Sequence, residues 1–139
     1  MGVLMHGSYI GGKSVRVTHE PSGVTLTTDA PKDNGGEGAA FSPTDLVGVA
    51  LGTCVLTTMV LYAERHGIDL KGASFQVEKI MGSEPRRIAE LVLKVQLPSG
   101  IGEVDRPKLE RVAVACPVHK SLSPETLVRM EFGYQATPL

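Results

Sequence analysis

The sequence predicts an α+β fold in which short antiparallel strands wrap around one long, buried helix. Segments rich in alternating or β-branched residues recur at hairpin spacing and are separated by turns of Gly, Pro and Ser. The chain also contains one uncharged apolar stretch, residues 46–63, whose apolar side chains would cover every side of a helix. With 139 residues, 42% of them hydrophobic, the chain suits a single domain over residues 1–139.

The first third of the chain is predicted to form a meander of three strands. Residues 4–10 and 14–19 flank a Gly-Gly turn. Residues 24–28, which are rich in β-branched side chains, follow a Pro-Ser-Gly turn. Residues 29–40 contain one proline and three glycines, so we expect a mobile loop there.

A long helix is predicted to begin directly after this loop. Ser42 can be its N-cap, and Pro43 fits the first helical position. Asp45, three residues after Ser42, can accept a hydrogen bond from the main-chain N–H of Ser42 and complete a capping box. The uncharged apolar stretch follows, and Gly67 ends the helix after a charged turn.

The composition of this helix predicts a homodimer. A chain of 139 residues cannot by itself surround a helix of about six turns that is apolar on every side. Gly48, Ala50 and Gly52 would also let another helix approach closely. Burial by a second copy of the chain would account for both observations.

The second half of the chain adds a hairpin, a helix and a strand. Alternating apolar residues predict strands at 73–80 and 87–97. Residues 105–116 carry apolar side chains at helical spacing, and Pro117 then interrupts the helix. Residues 127–134 alternate again and complete the antiparallel sheet of an α+β fold.

The charges and the N-terminus limit the classes of partner and compartment. The 14 basic and 15 acidic residues give a net charge of −1, so we expect no nucleic-acid partner. No basic segment followed by an apolar stretch opens the sequence, so we expect a cytoplasmic protein. Residues 46–63 are at the short limit for a membrane span and include glycines and threonines, so we interpret them as a core helix.

Two cysteines are the candidates for chemistry. Cys54 lies in the middle of the long helix and Cys116 at the end of the second helix. Both could be small core residues, because free cysteine is among the most buried residue types. They could instead form a reactive pair, in which a thiolate is oxidised to a sulfenic acid that condenses with the second thiol. Zinc binding is a third interpretation, since His119 follows Cys116 at Cys-x-x-His spacing and Cys54 could add a ligand.

A reactive cysteine needs a neighbour that stabilises its thiolate. Arg16 is the only arginine before the long helix, and it is either that neighbour or a solvent-facing strand residue. Asp45 is a carboxylate near the helix start that could hold the arginine in place. Asp45 and Cys54 are nine positions apart, which puts them on opposite faces of a straight helix, so a bend or a contribution across the dimer would be required.

Two segments of the chain resemble the signatures of the OsmC/Ohr family. Residues 42–54 begin Ser-Pro-Thr-Asp-Leu and end Leu-Gly-Thr-Cys, which is similar to a family pattern of Ser-Pro-x-Glu-Leu followed by a small-residue helix ending Ala-Leu-x-x-Cys. Residues 116–122 read Cys-Pro-Val-His-Lys-Ser-Leu and resemble the second signature, around Cys-Pro-Val. The order and separation of the signatures also agree, so the resemblance covers essentially the whole chain.

The resemblance implies an intertwined homodimer whose long central helices are wrapped by antiparallel β-sheets from both chains. It implies a peroxidase that reduces organic hydroperoxides, and less efficiently hydrogen peroxide, in defence against oxidative stress. Cys54 would be the peroxidatic thiol and Cys116 the resolving thiol. Arg16 would match the family's strand arginine, and Asp45 its helix-start carboxylate. No bound cofactor is expected, and a dithiol donor, often a protein-bound dihydrolipoyl group, would re-reduce the disulfide.

Two departures from the family pattern leave an alternative open. The peroxidase branches place Glu directly after Pro, where this chain has Thr44. The order Ser-Pro-x-Glu belongs to a third, less characterised branch, and here Asp45 replaces that Glu. The alternative is a non-enzymatic member of the family that binds a small apolar or electrophilic ligand at the dimer interface.

Overall fold

The computed structural model describes residues 1–135 and confirms the α+β class and the predicted order of the elements. The strands and helices are β1 (Met5–Gly11), β2 (Ser14–His19), β3 (Thr25–Asp29), α1 (Pro43–Arg65), β4 (Ser74–Gly82), β5 (Arg87–Leu97), α2 (Arg106–Ala113), α3 (Pro117–Ser121) and β6 (Leu127–Tyr134). A 3-10 helix, Lys32–Asn34, lies between β3 and α1. The short helix α3 was not predicted.

The chain divides into two compact units, and each unit has its own sheet. The first unit, Met1–Val47, contains the antiparallel sheet β1–β2–β3, in which Val17 lies opposite Gly7 on one side and Leu26 on the other. The second unit begins at Gly48 and contains the sheet β4–β5–β6. The boundary between the units, at Val47 and Gly48, lies inside α1, so the division does not by itself show two independent domains. That residues 1–139 form a single domain stays a prediction.

The last strand runs in a direction that the sequence did not predict. β4 and β5 form an antiparallel hairpin, but β6 pairs with β5 in parallel, with Leu93 opposite Met130. The reason is the connection, because residues 98–126 carry α2 and α3 and return the chain to the end of the sheet from which β5 started. Such a crossover is what parallel pairing requires. The antiparallel prediction is therefore wrong for this one pair of strands.

Both predicted ends of α1 are confirmed. The main-chain N–H of Ser42 donates to Oδ2 of Asp45 over 2.9 Å, and the N–H of Asp45 donates to Oγ of Ser42 over 3.1 Å. This reciprocal pair is a capping box. At the other end Gly67 has a φ of 67°, and the N–H of Ile68 donates to the carbonyl of Ala63 over 2.9 Å. A left-handed residue directly after a helix is a common helix end.

Within one chain, α1 is buried on one face only. Its buried residues are Gly48, Leu51, Gly52, Val55, Met59 and Ala63. The opposite face carries Thr53, Thr57 and Leu61, all of them exposed, and the exposed fraction of Leu61 is 51%. The expected burial on every side is therefore not reached within a single chain.

The length and apolar composition of α1 would also suit a membrane span. In its most apolar stretch, 33% of the residues are buried inside the chain. The core helix of a soluble protein meets the same criterion of length and composition, so this one helix is weak evidence for a span.

One of the two glycines in the buried face of α1 lets the helix pack closely on the second sheet. A Cβ atom at Gly52 would lie 2.3 Å from Cε2 of Phe75 on β4, which is too close for any real contact. A Cβ atom at Gly48 would meet its nearest neighbour, Cδ2 of Leu91, at 3.6 Å, an ordinary contact distance. Gly52 therefore sets how closely the helix approaches β4.

α2 ends earlier than predicted, and Cys116 is therefore not part of it. The last residue of α2 is Ala113, and Cys116 is extended, with φ −65° and ψ 143°. Pro117 disfavours the helical conformation for the residue that precedes it. Cys116 is the N-cap of α3, and the prediction that it ends the second helix is wrong.

Tyr134 connects the end of β6 to α2. Its hydroxyl donates to Oε2 of Glu110 over 2.7 Å, and the guanidinium of Arg106 lies 4.3 Å from the centroid of its ring. Burial, together with the neighbouring Glu110, raises the pKa of Tyr134 well above its usual range.

The predicted loop at 29–40 is hydrogen-bonded to itself and to β3. The main-chain N–H of Ala39 donates to Oδ2 of the buried Asp29 over 2.9 Å, and that of Gly38 donates to the carbonyl of Ala30 over 3.3 Å. The 3-10 helix lies between these contacts.

The contrast between the two glycines of α1 gives a stability prediction. We expect Gly52→Ala to lower the free energy of unfolding by about 1–2 kcal/mol, because overpacking against Phe75 outweighs the better helix propensity of Ala. The matched variant Gly48→Ala should raise it by up to about 1 kcal/mol, because its methyl group fits. Chemical denaturation at one fixed protein concentration measures both values. Equal stability of the two variants would show that the Phe75 ring moves aside without cost.

Candidate functional site

Cys54 lies in the wall of an open pocket on the second unit. Six lining residues come from one side of α1, and Pro117 and Val118 of α3 complete the pocket, whose volume is ≈ 450 Å³. The α1 residues are Ala50, Thr53, Cys54, Thr57, Thr58 and Leu61. They recur three or four residues apart, which puts them on one side of a helix. The half-buried thiol of Cys54 is thus in a mainly apolar wall that is open to solvent.

Cys116 lies behind this wall and is completely buried, with an exposed fraction of 0%. As the N-cap of α3, its Sγ accepts a hydrogen bond from the main-chain N–H of His119 over 3.3 Å. Burial raises the pKa of the Cys116 thiol above its usual value, the N–H of His119 works against that rise, and a hydrogen bond with Cys54 adds to it. Both thiols are free, and Cys54 is close enough to Cys116 to contribute to the rise in its pKa.

The chemistry open to such a pair follows from the different environments of the two thiols. Cys54 lines the pocket and can meet a molecule that enters it, while Cys116 is buried and favours its protonated form. A thiol that is oxidised by a small molecule can form a disulfide only with a thiol in close reach. Cys54 can meet an oxidant, and Cys116 is placed to react with the product.

The structure places the other two predicted site residues in the first unit. Arg16 is an exposed residue of β2, paired with Ser8 and Thr27 across the sheet. Asp45 is in the first turn of α1, where its carboxylate accepts the N–H of Ser42. Its role in the helix cap is confirmed, and the roles of both residues toward the thiols stay predictions.

The zinc interpretation finds no support in the part of the chain that the structure describes. Over residues 1–135, no group of three His, Cys, Asp or Glu side chains is arranged to hold a metal ion. The ring of His119, the third ligand of that interpretation, is turned to the main chain, where its Nδ1 lies 3.0 Å from the carbonyl oxygen of Val114.

Sequence reasoning identified His119 only as a metal ligand and missed its main-chain contact with Cys116. The sequence did contain a signal for this contact, namely Cys116 followed by Pro117. A residue before proline is extended and can cap a helix that begins at the proline. A cap accepts a hydrogen bond from the N–H two or three residues further on, which here is that of His119. The pocket lining could also have been found, since Thr57, Thr58 and Leu61 follow Cys54 by three, four and seven residues.

The chain matches the model of a known family. The family model of OsmC-like proteins matches residues 35–131, more than half of the chain. The chain therefore belongs to the family of OsmC-like proteins. No curated protein matches it.

Three solved structures illustrate the similarity. A proposed osmotic stress induced and detoxification response protein from Psychrobacter arcticus is 32% identical, with a TM-score of 0.88 over 92% of this chain and 93% of that one. An organic hydroperoxide resistance protein, OsmC, from Legionella pneumophila is 19% identical, with a TM-score of 0.73 over 96% and 97%. A proposed organic hydroperoxide resistance protein from Vibrio cholerae, with captopril bound in one of its active sites, is 19% identical, with a TM-score of 0.75 over 95% and 91%. The last two comparisons show a shared fold.

The burial difference predicts unequal reactivity of the two thiols. In Cys116→Ser, the remaining Cys54 should react quickly with iodoacetamide, because it is partly exposed. In Cys54→Ser, the remaining Cys116 should react more slowly than a free cysteine at pH 8, because burial keeps it protonated. Its rate should still be rising above pH 9.0, the usual pKa, since the folded pKa is higher.

Mass spectrometry of timed samples gives both alkylation rates. Alkylation of Cys116 at the rate of Cys54 would contradict the buried position of Cys116.

Proposed function

We propose that this protein is a thiol peroxidase that reduces organic hydroperoxides. The observation that carries the proposal is the position of Cys54, which lines an open apolar pocket, next to the buried Cys116, whose pKa it helps to raise. One thiol can meet a substrate and the other cannot, which is the asymmetry that a peroxidatic and a resolving cysteine need. The names of the relatives from Legionella pneumophila and Vibrio cholerae, organic hydroperoxide resistance proteins, agree with this activity.

The proposed reaction has two steps on the protein. The thiolate of Cys54 attacks the terminal oxygen of the hydroperoxide, the O–O bond breaks, and the alkoxide takes a proton and leaves as an alcohol. Cys54 is then a sulfenic acid. The sulfur of Cys116 attacks it, the S–O bond breaks, and the hydroxide leaves as water with the proton from Cys116. The product is a disulfide between Cys54 and Cys116.

A dithiol donor would complete the cycle. One of its sulfurs attacks the disulfide and its second sulfur displaces the protein, so both protein thiols are restored and the donor becomes a cyclic disulfide. We propose a dihydrolipoyl group as this donor, on the resemblance to the family. The protein itself then needs no bound cofactor.

The lining of the pocket favours an apolar substrate. None of its eight described lining residues is charged, and Ala50, Leu61 and Val118 offer hydrocarbon surface. Such a wall gains free energy from burying an alkyl or aryl group, at about 25 cal/mol per Å². We therefore propose organic hydroperoxides as the main substrates, with hydrogen peroxide as a poorer one.

We propose that Arg16 and Asp45 assist Cys54. A guanidinium beside a thiol lowers its pKa and increases the fraction of thiolate, and a carboxylate can hold the guanidinium in position. The resemblance assigns these two roles to Arg16 and Asp45. In the first unit the side chain of Arg16 is exposed and forms no hydrogen bond or ion pair with any residue in the range 1–135, so its guanidinium is available for this role.

We propose that the protein acts as an intertwined homodimer in the cytoplasm. The exposed face of α1 is one argument, because a second chain would cover Leu61 and would then form part of the wall of the pocket that Cys54 lines. The first sheet is another, because all seven residues of β1 are exposed and Tyr9 keeps 70% of its accessible surface. Exposed apolar side chains grouped on one surface are typical of an interaction site.

One observation favours the alternative of a non-enzymatic binding protein. Thr44 stands where the peroxidase branches have Glu, and the pocket wall carries no charged side chain. A protein with this wall could bind a small apolar or electrophilic ligand between two subunits without turning it over.

Peroxide treatment of the reduced protein separates the two functions. With one equivalent of cumene hydroperoxide we expect both thiols to disappear and the intact mass to fall by two hydrogen atoms. Cys54→Ser should consume no peroxide. Cys116→Ser should stop at a sulfenic acid that dimedone traps. If both thiols of the wild-type protein survive, the peroxidase proposal fails and ligand binding becomes the leading function.

The dimer is tested by placing a charge on α1. Leu61→Glu should convert the dimer to monomer, because the variant would bury a carboxylate between two helices. Val104→Glu is the matched control, since Val104 has an exposed fraction of 76% and is not part of α1. Light scattering after size-exclusion chromatography gives the mass. A wild-type protein with the mass of one chain would contradict the proposal.

A further inference from the structure

We propose that His119 is a positioning residue that holds Cys116 ready to form the disulfide, an inference that rests on the proposed thiol chemistry. Nothing in the reaction scheme above assigns a role to this side chain. Its two hydrogen bonds act on the segment that carries the resolving thiol.

His119 makes one hydrogen bond to the thiol of Cys116 and another to the main chain two residues before it. Its main-chain N–H donates to Sγ of Cys116 over 3.3 Å, and its ring Nδ1 lies 3.0 Å from the carbonyl oxygen of Val114. A carbonyl oxygen can only accept, so Nδ1 carries the hydrogen. The histidine therefore connects the chain two residues before Cys116 with the thiol itself.

This connection adds a side chain to the main-chain hydrogen bonds of the segment, in which the N–H of Cys116 donates to the carbonyl of Ala113 over 3.4 Å and that of Lys120 to the carbonyl of Cys116 over 3.1 Å. α2 has already ended at Ala113, and Val114 and Ala115 are exposed. α3 has only five residues, too few to be stable by itself. The position of the Cys116 sulfur thus depends on local hydrogen bonds of the turn at 114–119, and the ring of His119 makes the side-chain bond that ties this turn to Val114.

The main-chain N–H of His119 also acts on the charge of the sulfur. Burial disfavours the thiolate that Cys116 must become when it attacks, whereas a donor aimed at Sγ stabilises that charge. The donor is useful only while it points at the sulfur. By fixing the start of α3 to Val114, the imidazole ring keeps the donor in that direction.

Two substitutions at the same position separate the hydrogen bond from the bulk of the ring. His119→Asn keeps a side-chain N–H close to the place of Nδ1, and His119→Leu keeps a similar volume without a donor. Tyr134→Phe serves as a matched control for lost stability, because it removes the 2.7 Å bond to Glu110 and leaves the turn intact. Thermal unfolding of all three variants ranks their stabilities.

The assay uses an aromatic disulfide reagent, 5,5′-dithiobis(2-nitrobenzoic acid), and needs no peroxidase activity. Cys54 attacks the reagent, releases one thionitrobenzoate and becomes a mixed disulfide. Cys116 then attacks the Cys54 sulfur and releases the second thionitrobenzoate, which leaves the internal disulfide. The first phase reports Cys54, and the second phase reports Cys116.

We expect His119→Leu to slow the second phase roughly five- to tenfold, the usual effect of one lost hydrogen bond, and to leave the first phase unchanged. His119→Asn should restore most of the second-phase rate, and Tyr134→Phe should leave it at the wild-type value. Equal second phases in all four proteins would overturn the proposal, as would a wild-type protein that shows no second phase.

A parallel reaction with cumene hydroperoxide keeps the two proposals distinguishable. If the wild-type protein does not react with the peroxide but shows the expected pattern with the aromatic disulfide, the peroxidase function fails and the role of His119 stands. If peroxide is consumed and the His119→Leu protein forms its disulfide at the wild-type rate, the peroxidase function stands and the role of His119 fails.

Discussion

The contact between α1 and β4 determines where the two thiols can be. At Gly52 the helix is so close to Phe75 that no side chain fits between them, and this fixes which side of α1 faces the sheet. Cys54 is two residues further along, about 200° around the helix axis, and therefore points away from the sheet at Gly52. The same contact thus buries one face of α1 and presents the other, with its thiol, to the pocket and to α3.

Local signals made the helix α1 predictable from the sequence. Its start depends on a capping box between Ser42 and Asp45, and its end on a glycine, both of which act within a few residues. The direction of β6 was not predictable in this way. Whether a strand runs parallel or antiparallel to its neighbour depends on the path of the whole connection, here residues 98–126, and alternation along the strand is the same in both cases.

The candidate site was also predictable only where it depends on local sequence. The two cysteines could be found because their residue type and the motifs around them are local, and their proximity is a property of the fold. The environment of Cys116 was missed because a helical pattern that continues up to a proline looks like one helix, although the proline moves the last residues out of it. The contact of His119 with the thiol follows from that shift.

Because of the capping box, a carboxylate at position 45 in a relative of this chain is not by itself evidence of activity. A carboxylate there stabilises the start of α1 by about 1 kcal/mol whether or not the protein has any activity. A descendant that had lost the chemistry would still be under selection to keep it. Arg16, whose side chain has no hydrogen bond or ion pair within residues 1–135, is under no such structural selection. Under the proposed role of Arg16, the presence or loss of that arginine is therefore the more informative marker of function along the lineage.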